Sequence, residues 1–309
     1  MSVAPAPASA PPASARKRSA TLIRALGPSG LAGAVIVATI LGCAILAPLV
    51  APHDPLAVAI ESRLEAPSLA HWLGTDQAGR DLFSRILYGA RSSLAVGIGA
   101  VVIGAVLGVG AGLLSAYYRG AVELVLMRLV DIVASIPLLV WAIAVVGILG
   151  VGPVQIGPFA VPNEGKIVLL VGAMFAPVFA RVTFAVAQGI VLTDYVRVRR
   201  LQGARDASVL LTDVLPNCLS PIIVQATLLV AIGIVIEASV SFVGLGVQPP
   251  RPSWGTMLSD ARNAVFSGEW WLPIFPGLAI SLAVIGFNLL GDAIRELLDP
   301  RSLTRGFLG

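Results

Sequence analysis

Residue types able to do covalent or metal chemistry are scarce in this chain, which has two histidines, His53 and His71, and two cysteines, Cys43 and Cys218. No His-Glu-x-x-His stretch and no Cys/His cluster is present, so metal-assisted or nucleophilic catalysis has no sequence-local set to rest on. The Gly-x4-Gly-Lys-Ser/Thr loop is missing as well, so the chain does not cradle nucleotide phosphates in a P-loop of its own. Cys43 sits in an apolar run and Cys218 beside Pro216, and both read as structural thiols. Two acids stand within apolar runs, Asp131 and Glu237, where an ionised side chain costs about 2.5–3.5 kcal/mol at mid-span. Asp131 is three residues from Arg128 and reads as half of a structural pair. Glu237 has no cation near it in sequence and is left open between lining a pathway and pairing with a partner subunit.

The densest charge lies in residues 193–217, "TDYVRVRRLQGARDASVLLTDVLPN". Thr193 or Asp194 can cap a short helix, because a side-chain oxygen there accepts an orphan backbone N–H. Gly203 can end it in the left-handed conformation. Asp206 then caps a second helix whose Leu210, Leu211, Val214 and Leu215 form an apolar face, and Pro216 stops it. On physical grounds alone, such an Arg-rich helix–turn–helix is either an interfacial element on lipid headgroups or a docking element for a partner.

Apolar runs must position this loop. Of 309 residues, 57% are hydrophobic and 12% charged, and mean hydropathy is +0.90. Soluble domains carry about 25% charged residues. Crossing the hydrocarbon core takes about 20 apolar residues, and six runs qualify: about 30–51, 92–116, 125–149, 167–187, 219–243 and 273–294. The class is therefore all-α and polytopic, with the bilayer as solvent. The net charge of +4 is scattered between the runs, unlike the dense basic stripe of a nucleic-acid binder. With the N-terminus inside, fourteen of the 21 basic residues fall on the inner side and seven on the outer, so both termini are expected to be cytoplasmic. Gly104, Gly108 and Gly112 repeat every four residues, making a smooth face for a neighbouring span.

Four segments follow. Residues 1–25, rich in Ala, Pro and Ser, read as a disordered cytoplasmic tail. Residues 26–90 hold an uncleaved first span and an outer segment, 91–298 the remaining membrane domain, and 299–309 a short tail. In the outer segment, Asp76/Arg80 and Asp81/Arg85 are spaced to pair along a helix. The Gly- and Pro-rich stretch 246–255 demands a fixed loop. Trp254, Trp270 and Trp271 are placed as interfacial anchors.

The 193–217 loop resembles the EAA loop of binding-protein-dependent ABC permeases. Gly203 and Leu215-Pro216-Asn217 fall where that motif has Gly and Leu-Pro-Asn, and Tyr195, Val196, Arg200 and Ala204 also match. Arg197, Val198 and Arg199 stand where the family has Glu-Ala-Ala. Residues 71–94, 237–258 and 289–301 resemble the C-type subunits of dipeptide, oligopeptide and nickel permeases, in order, so the likeness covers about residues 30–301. The resemblance implies the type I importer transmembrane fold (MetI-like), in a bacterial cytoplasmic (inner) membrane. It implies a permease subunit of an ATP-driven importer of dipeptides or oligopeptides, or of nickel, glutathione or another small solute. The implied partners are a homologous B-type permease, one or two cytosolic ABC ATPases that bind ATP and Mg, and a substrate-binding protein. It places coupling to the ATPases on Tyr195, Arg200, Gly203, Ala204, Asp206, Leu215 and Pro216, with no cofactor held by this chain. A secondary transporter, which would carry internal repeats and several intramembrane acids, is the competing class.

Overall fold

The computed structural model describes residues 26–150, 152–156, 158–264 and 268–298. The two expected tails, 1–25 and 299–309, lie outside the described residues, and the first helix begins at Gly27. Helix α1 spans Gly27–Val50, α2 Leu82–Tyr118, α3 Gly120–Ser135 and α4 Leu138–Leu149. A two-stranded antiparallel hairpin, β1 (Val154–Ile156) and β2 (Phe159–Val161), pairs Val154 with Val161. Then come α5 (Asn163–Val191), α6 (Asp194–Leu201), α7 (Asp206–Ser208) and a π-helical turn at Val209–Val214. Helices α8 (Leu215–Phe242), α9 (Trp254–Asp260) and α10 (Trp271–Leu298) complete the described chain.

Five of the six expected spans are long apolar helices. The sixth, 125–149, is instead the pair α3 and α4, bent by 89° between Ser135 and Leu138. Pro137 supplies the reason. It has no N–H to continue the helix and drives the residue before it out of the helical region, and Ile136 is extended at φ −94°, ψ 125°. Only Val130 and Ala142 of this pair are buried within the chain. The other apolar side chains of α3 and α4 are left partly or wholly uncovered by the rest of the described chain.

The most extensive contact in the bundle is α2 against α5, and the glycine face makes it. A Cβ on Gly104 would stand 2.7 Å from Phe175 Cβ, and one on Gly112 would stand 2.6 Å from the Ala180 carbonyl oxygen. At Gly108 it would meet the Ala176 carbonyl oxygen and Phe179. In lipid, where apolar burial gives no net drive between helices, this close approach is the source of packing energy. Helix α1 lies against α10 through Gly30, Gly33 and Gly286 by the same device.

Outside the spans the sequence expectations need correction. Helix α2 begins at Leu82 with Asp81 as its cap, the carboxylate accepting the Ser84 N–H at 2.8 Å. Residues 76–81 are therefore loop, and the expected Asp81/Arg85 pair does not form. Arg85 instead joins Arg80 on Asp76, at 3.3 and 2.7 Å, and both guanidiniums reach Asp260 of α9 at 3.6 Å. Partial burial raises the Asp260 carboxyl above its usual range, and Arg85 and Arg80 pull it back. The stretch 246–255 is loop only as far as Ser253. There a capping box with Thr256 starts α9, with Gly255 inside its first turn. Trp254 is no interfacial anchor, because it is 2% exposed and its indole N–H donates to the Ile86 carbonyl at 3.1 Å. Trp271 is buried as well, and Trp270 is exposed.

Candidate functional site

Residues 193–217 close one end of the bundle, and the side chains of that loop hold it there. Thr193 occupies the cap position of α6 but directs its hydroxyl back to the Ile190 carbonyl, 2.5 Å away. The helix turns its Val196 wholly inward, into the apolar cluster that also holds Val209, Val214 and Cys218. Gly203 then takes φ +79°, with its N–H on the Arg200 carbonyl at 3.0 Å. A side chain at that φ is strained, so glycine is required for the turn rather than merely tolerated.

Beyond the turn the expected second helix is replaced by three helical residues and a π-helical turn, which runs straight into α8. Pro216 does not stop a helix. It sits in the first turn of α8, directly after the π-helical turn, and the helix continues through it. Asp206 does not cap by its side chain either. Its two carboxylate oxygens accept the Tyr117 hydroxyl at 2.6 Å and the Tyr118 hydroxyl at 3.1 Å, both from the end of α2. The Arg200 guanidinium lies 4.2 Å over the Tyr117 ring, a cation–π contact. Asp206, Tyr117 and Arg200 thus join the loop to the longest helix of the bundle. The tyrosines escaped the sequence reading. Their only signal was two adjacent phenols at the end of an apolar run.

Within the loop, Arg199 pairs with Asp213 at 3.1 Å. Asn217 donates to the Asp213 carbonyl at 2.7 Å and to the Tyr195 hydroxyl at 3.3 Å. Ala204 and Leu215 pack against the apolar cluster. Of the three residues that replace Glu-Ala-Ala, Arg199 is thereby engaged inside the loop, while Arg197 and Val198 face out. Leu201 is 87% exposed, beside half-exposed Tyr195 and Val198. This helix therefore presents an apolar and cationic face beyond the end of the bundle.

Glu237 lies near the opposite end of α8, apart from these residues. It is fully buried inside this chain, away from any surface that a pathway or partner could meet. Ser93 of α2 donates to one oxygen at 2.7 Å and Ser241 to the other at 2.6 Å. Those hydroxyls in turn accept the backbone N–H groups of Trp254 and Val247, at 3.2 and 3.1 Å. One carboxyl group thus fixes the 247–254 loop onto two spans. Glu237→Leu leaves both hydroxyls without their acceptor, at about 1–3 kcal/mol for each buried group left unpaired. The expected result is a lower unfolding midpoint in detergent than for Glu237→Gln, which keeps one acceptor. Equal midpoints would refute the anchoring role. Asp131 also finds a partner other than the expected Arg128: it pairs with Arg181 of α5 at 2.9 Å, near the loop end.

Comparison with known proteins places these features in context. Residues 104–304 match the family described as binding-protein-dependent transport system inner membrane component. The chain is 40% identical over 277 residues to a di/tripeptide transport system permease protein of Pseudomonas aeruginosa, covering 88% of each chain. It is 38% identical to a probable D,D-dipeptide transport system permease protein of Escherichia coli K12, covering 89% of this chain and 88% of that one. A glutathione transport system permease protein of Pectobacterium atrosepticum is 39% identical, covering 88% and 86%.

Proposed function

Since the chain belongs to the family of binding-protein-dependent transport system inner membrane components, we propose that it is the C-type permease subunit of an importer of dipeptides or short oligopeptides. The relatives named for di/tripeptides and for D,D-dipeptides support the cargo. Those named for glutathione support a second reading, a γ-linked tripeptide as cargo of the same architecture. As an inner-membrane component it supplies half of a translocation pathway. The B-type permease that supplies the other half has the apolar flanks of α3 and α4 available to it.

The chain lacks a nucleotide loop, so ATP and its Mg²⁺ are bound by one or two partner ATPases, and a binding protein delivers substrate from outside. With the excess of arginine on the inner side, the 193–217 loop and both termini face the cytoplasm. Tyr195, Arg200, Gly203, Ala204, Asp206, Leu215 and Pro216 form the coupling element: Arg200 and Asp206 tie it to α2, Gly203 shapes it, and Leu215 and Pro216 hand it to α8. The observation that carries this reading is the exposed face of α6, tied to α2 through Arg200 on the Tyr117 ring and, just beyond the turn, Asp206 on the Tyr117 hydroxyl. Leu201→Asp tests it. At 87% exposure the change leaves the fold alone, since surface substitutions stay within about 0.5 kcal/mol. The ATPase is expected to be lost when the permease is pulled down from detergent-solubilised membranes. An undiminished ATPase yield would overturn the docking assignment.

A further inference from the structure

The two histidines that are 18 positions apart in sequence come together in space. The His71 Nδ1 lies 2.9 Å from Asp81 Oδ1, and the His53 Nδ1 lies 3.7 Å from the same oxygen. The imidazole rings are 4.7 Å apart at their centroids. One ligand atom from each of the three residues lies within 4.8 Å of the others. Asp81 is almost wholly buried, its side chain 1% exposed. Its Oδ2 takes the Ser84 N–H, which leaves Oδ1 to the imidazoles. No arginine or lysine pairs with Asp81 among the described residues, although Arg80 and Arg85 are close in sequence and go to Asp76 and Asp260 instead.

We propose that His53, His71 and Asp81 form a binding site for a divalent transition cation of the zinc class, at the end of the bundle opposite the 193–217 loop. Zn²⁺ binds His nitrogen and carboxylate oxygen at about 2.0–2.2 Å in tetrahedral array, so neighbouring ligand atoms stand roughly 3.3 Å apart. The two observed N–O separations bracket that value. A hydrogen bond alone accounts for His71 but not for His53, whose Nδ1 stands beyond hydrogen-bond distance, 3.7 Å from the same oxygen. Two imidazoles and a carboxylate suit zinc, cobalt or nickel, and do not suit magnesium or calcium, which take oxygen ligands.

The cation would tie three separate pieces of chain: the turn just after α1, the middle of the outer segment, and the cap of α2. Both rings reach the surface, the His53 side chain 42% exposed and that of His71 16% exposed. The small closing movement falls on His53, whose backbone N–H is already held by the Ser84 hydroxyl at 3.2 Å. His53 also lines a cavity of about 840 Å³, from which water would fill the fourth position, as at open zinc sites.

The experiment uses the full chain in detergent, purified by a tag without histidines and freed of metal by a chelator. Co²⁺ is titrated in and followed by its visible absorption, then displaced by Zn²⁺, and the unfolding midpoint is read with Zn²⁺ or Mg²⁺ present. One saturable Co²⁺ equivalent per chain is expected, together with a rise of the midpoint with Zn²⁺ but not with Mg²⁺. His53→Gln and His71→Gln should each weaken Co²⁺ binding by about tenfold or more, since losing even a residue that only orients a ligand typically costs about 10–100-fold in metal affinity. His53, on an exposed turn, is the variant whose fold is least at risk, and its unfolding midpoint without metal should equal that of the parent chain. Absence of saturable binding, or binding unchanged in either variant, overturns the proposal.

Discussion

Gly203→Pro is expected to abolish substrate-stimulated ATP hydrolysis by the assembled transporter while the permease still reaches the membrane. Proline locks φ near −65°, whereas Gly203 sits at +79° and gives its N–H to the Arg200 carbonyl. The substitution therefore removes the bond and reverses the turn. Arg200 then leaves the Tyr117 ring, and Asp206 loses its approach to the two tyrosine hydroxyls. Gly203→Ala keeps the N–H and meets only the left-handed penalty, about 1–2 kcal/mol. It is expected to retain part of the coupling. Reconstituted ATPase assays with and without loaded binding protein would measure this, and full stimulation in the proline variant would remove the loop from the mechanism. Because the loop lies at one end of the spans and makes few of their contacts, insertion and folding are expected to proceed.

The second large effect falls on folding itself. Gly108→Leu is expected to remove most folded permease from the membrane, read as loss of the monodisperse peak on size-exclusion chromatography. Even the Cβ of the new side chain would overlap the Ala176 carbonyl oxygen and lie 2.6 Å from Phe179 Cβ and 2.9 Å from the Ala180 amide nitrogen. Two of those atoms are backbone and cannot turn aside, so α2 and α5 must separate along their whole contact. Added methylenes in a packed core cost about 1–3 kcal/mol and occasionally more; a whole side chain driven against two backbone atoms belongs with the larger costs, against a total stability of only about 5–15 kcal/mol. Gly110 provides the control. It is two residues away on the same helix with nothing within 4 Å of its Cβ position, so Gly110→Leu should leave the peak intact. Equal damage at both positions would show that glycine is needed there for some reason other than close approach.

Features that depend on short sequence spacing were legible before the structure. The Gly104, Gly108, Gly112 face follows from a four-residue repeat on a helix and meets α5 as expected of such a face. Five spans follow from run length. Gly203 follows from the need for a left-handed turn between two helical patterns. The break at Pro137 was visible in type but not in consequence, since proline inside an apolar run is compatible with either a kinked span or a right-angle bend. What decides is whether neighbouring helices satisfy the freed groups.

Pairings made by tertiary approach were not legible. Asp206 finds Tyr117 across 89 positions, and Ser93 finds Glu237 across 144. Arg85 prefers Asp76 and Asp260 to its neighbour Asp81 because Asp81 is used as a helix cap. The sequence shows no His-Glu-x-x-His stretch and no Cys/His cluster around either histidine, and only the folding of residues 53–81 brings them to one oxygen.

Helix α8 joins two places described separately, the Pro216 end at the arginine-rich loop and the Glu237 end at the 247–254 loop. At 1.5 Å per residue these two positions are about 32 Å apart along the axis. Such a rod is a lever. A tilt of about 10° about its Pro216 end would carry Glu237 sideways by roughly 5–6 Å, the reach of one helical turn. Ser93 and the Trp254 backbone, hydrogen-bonded through that carboxyl group, would be drawn with it or would have to let go. Any tilt of α8 at the arginine-rich loop would therefore reach the buried carboxyl group as a larger sideways displacement.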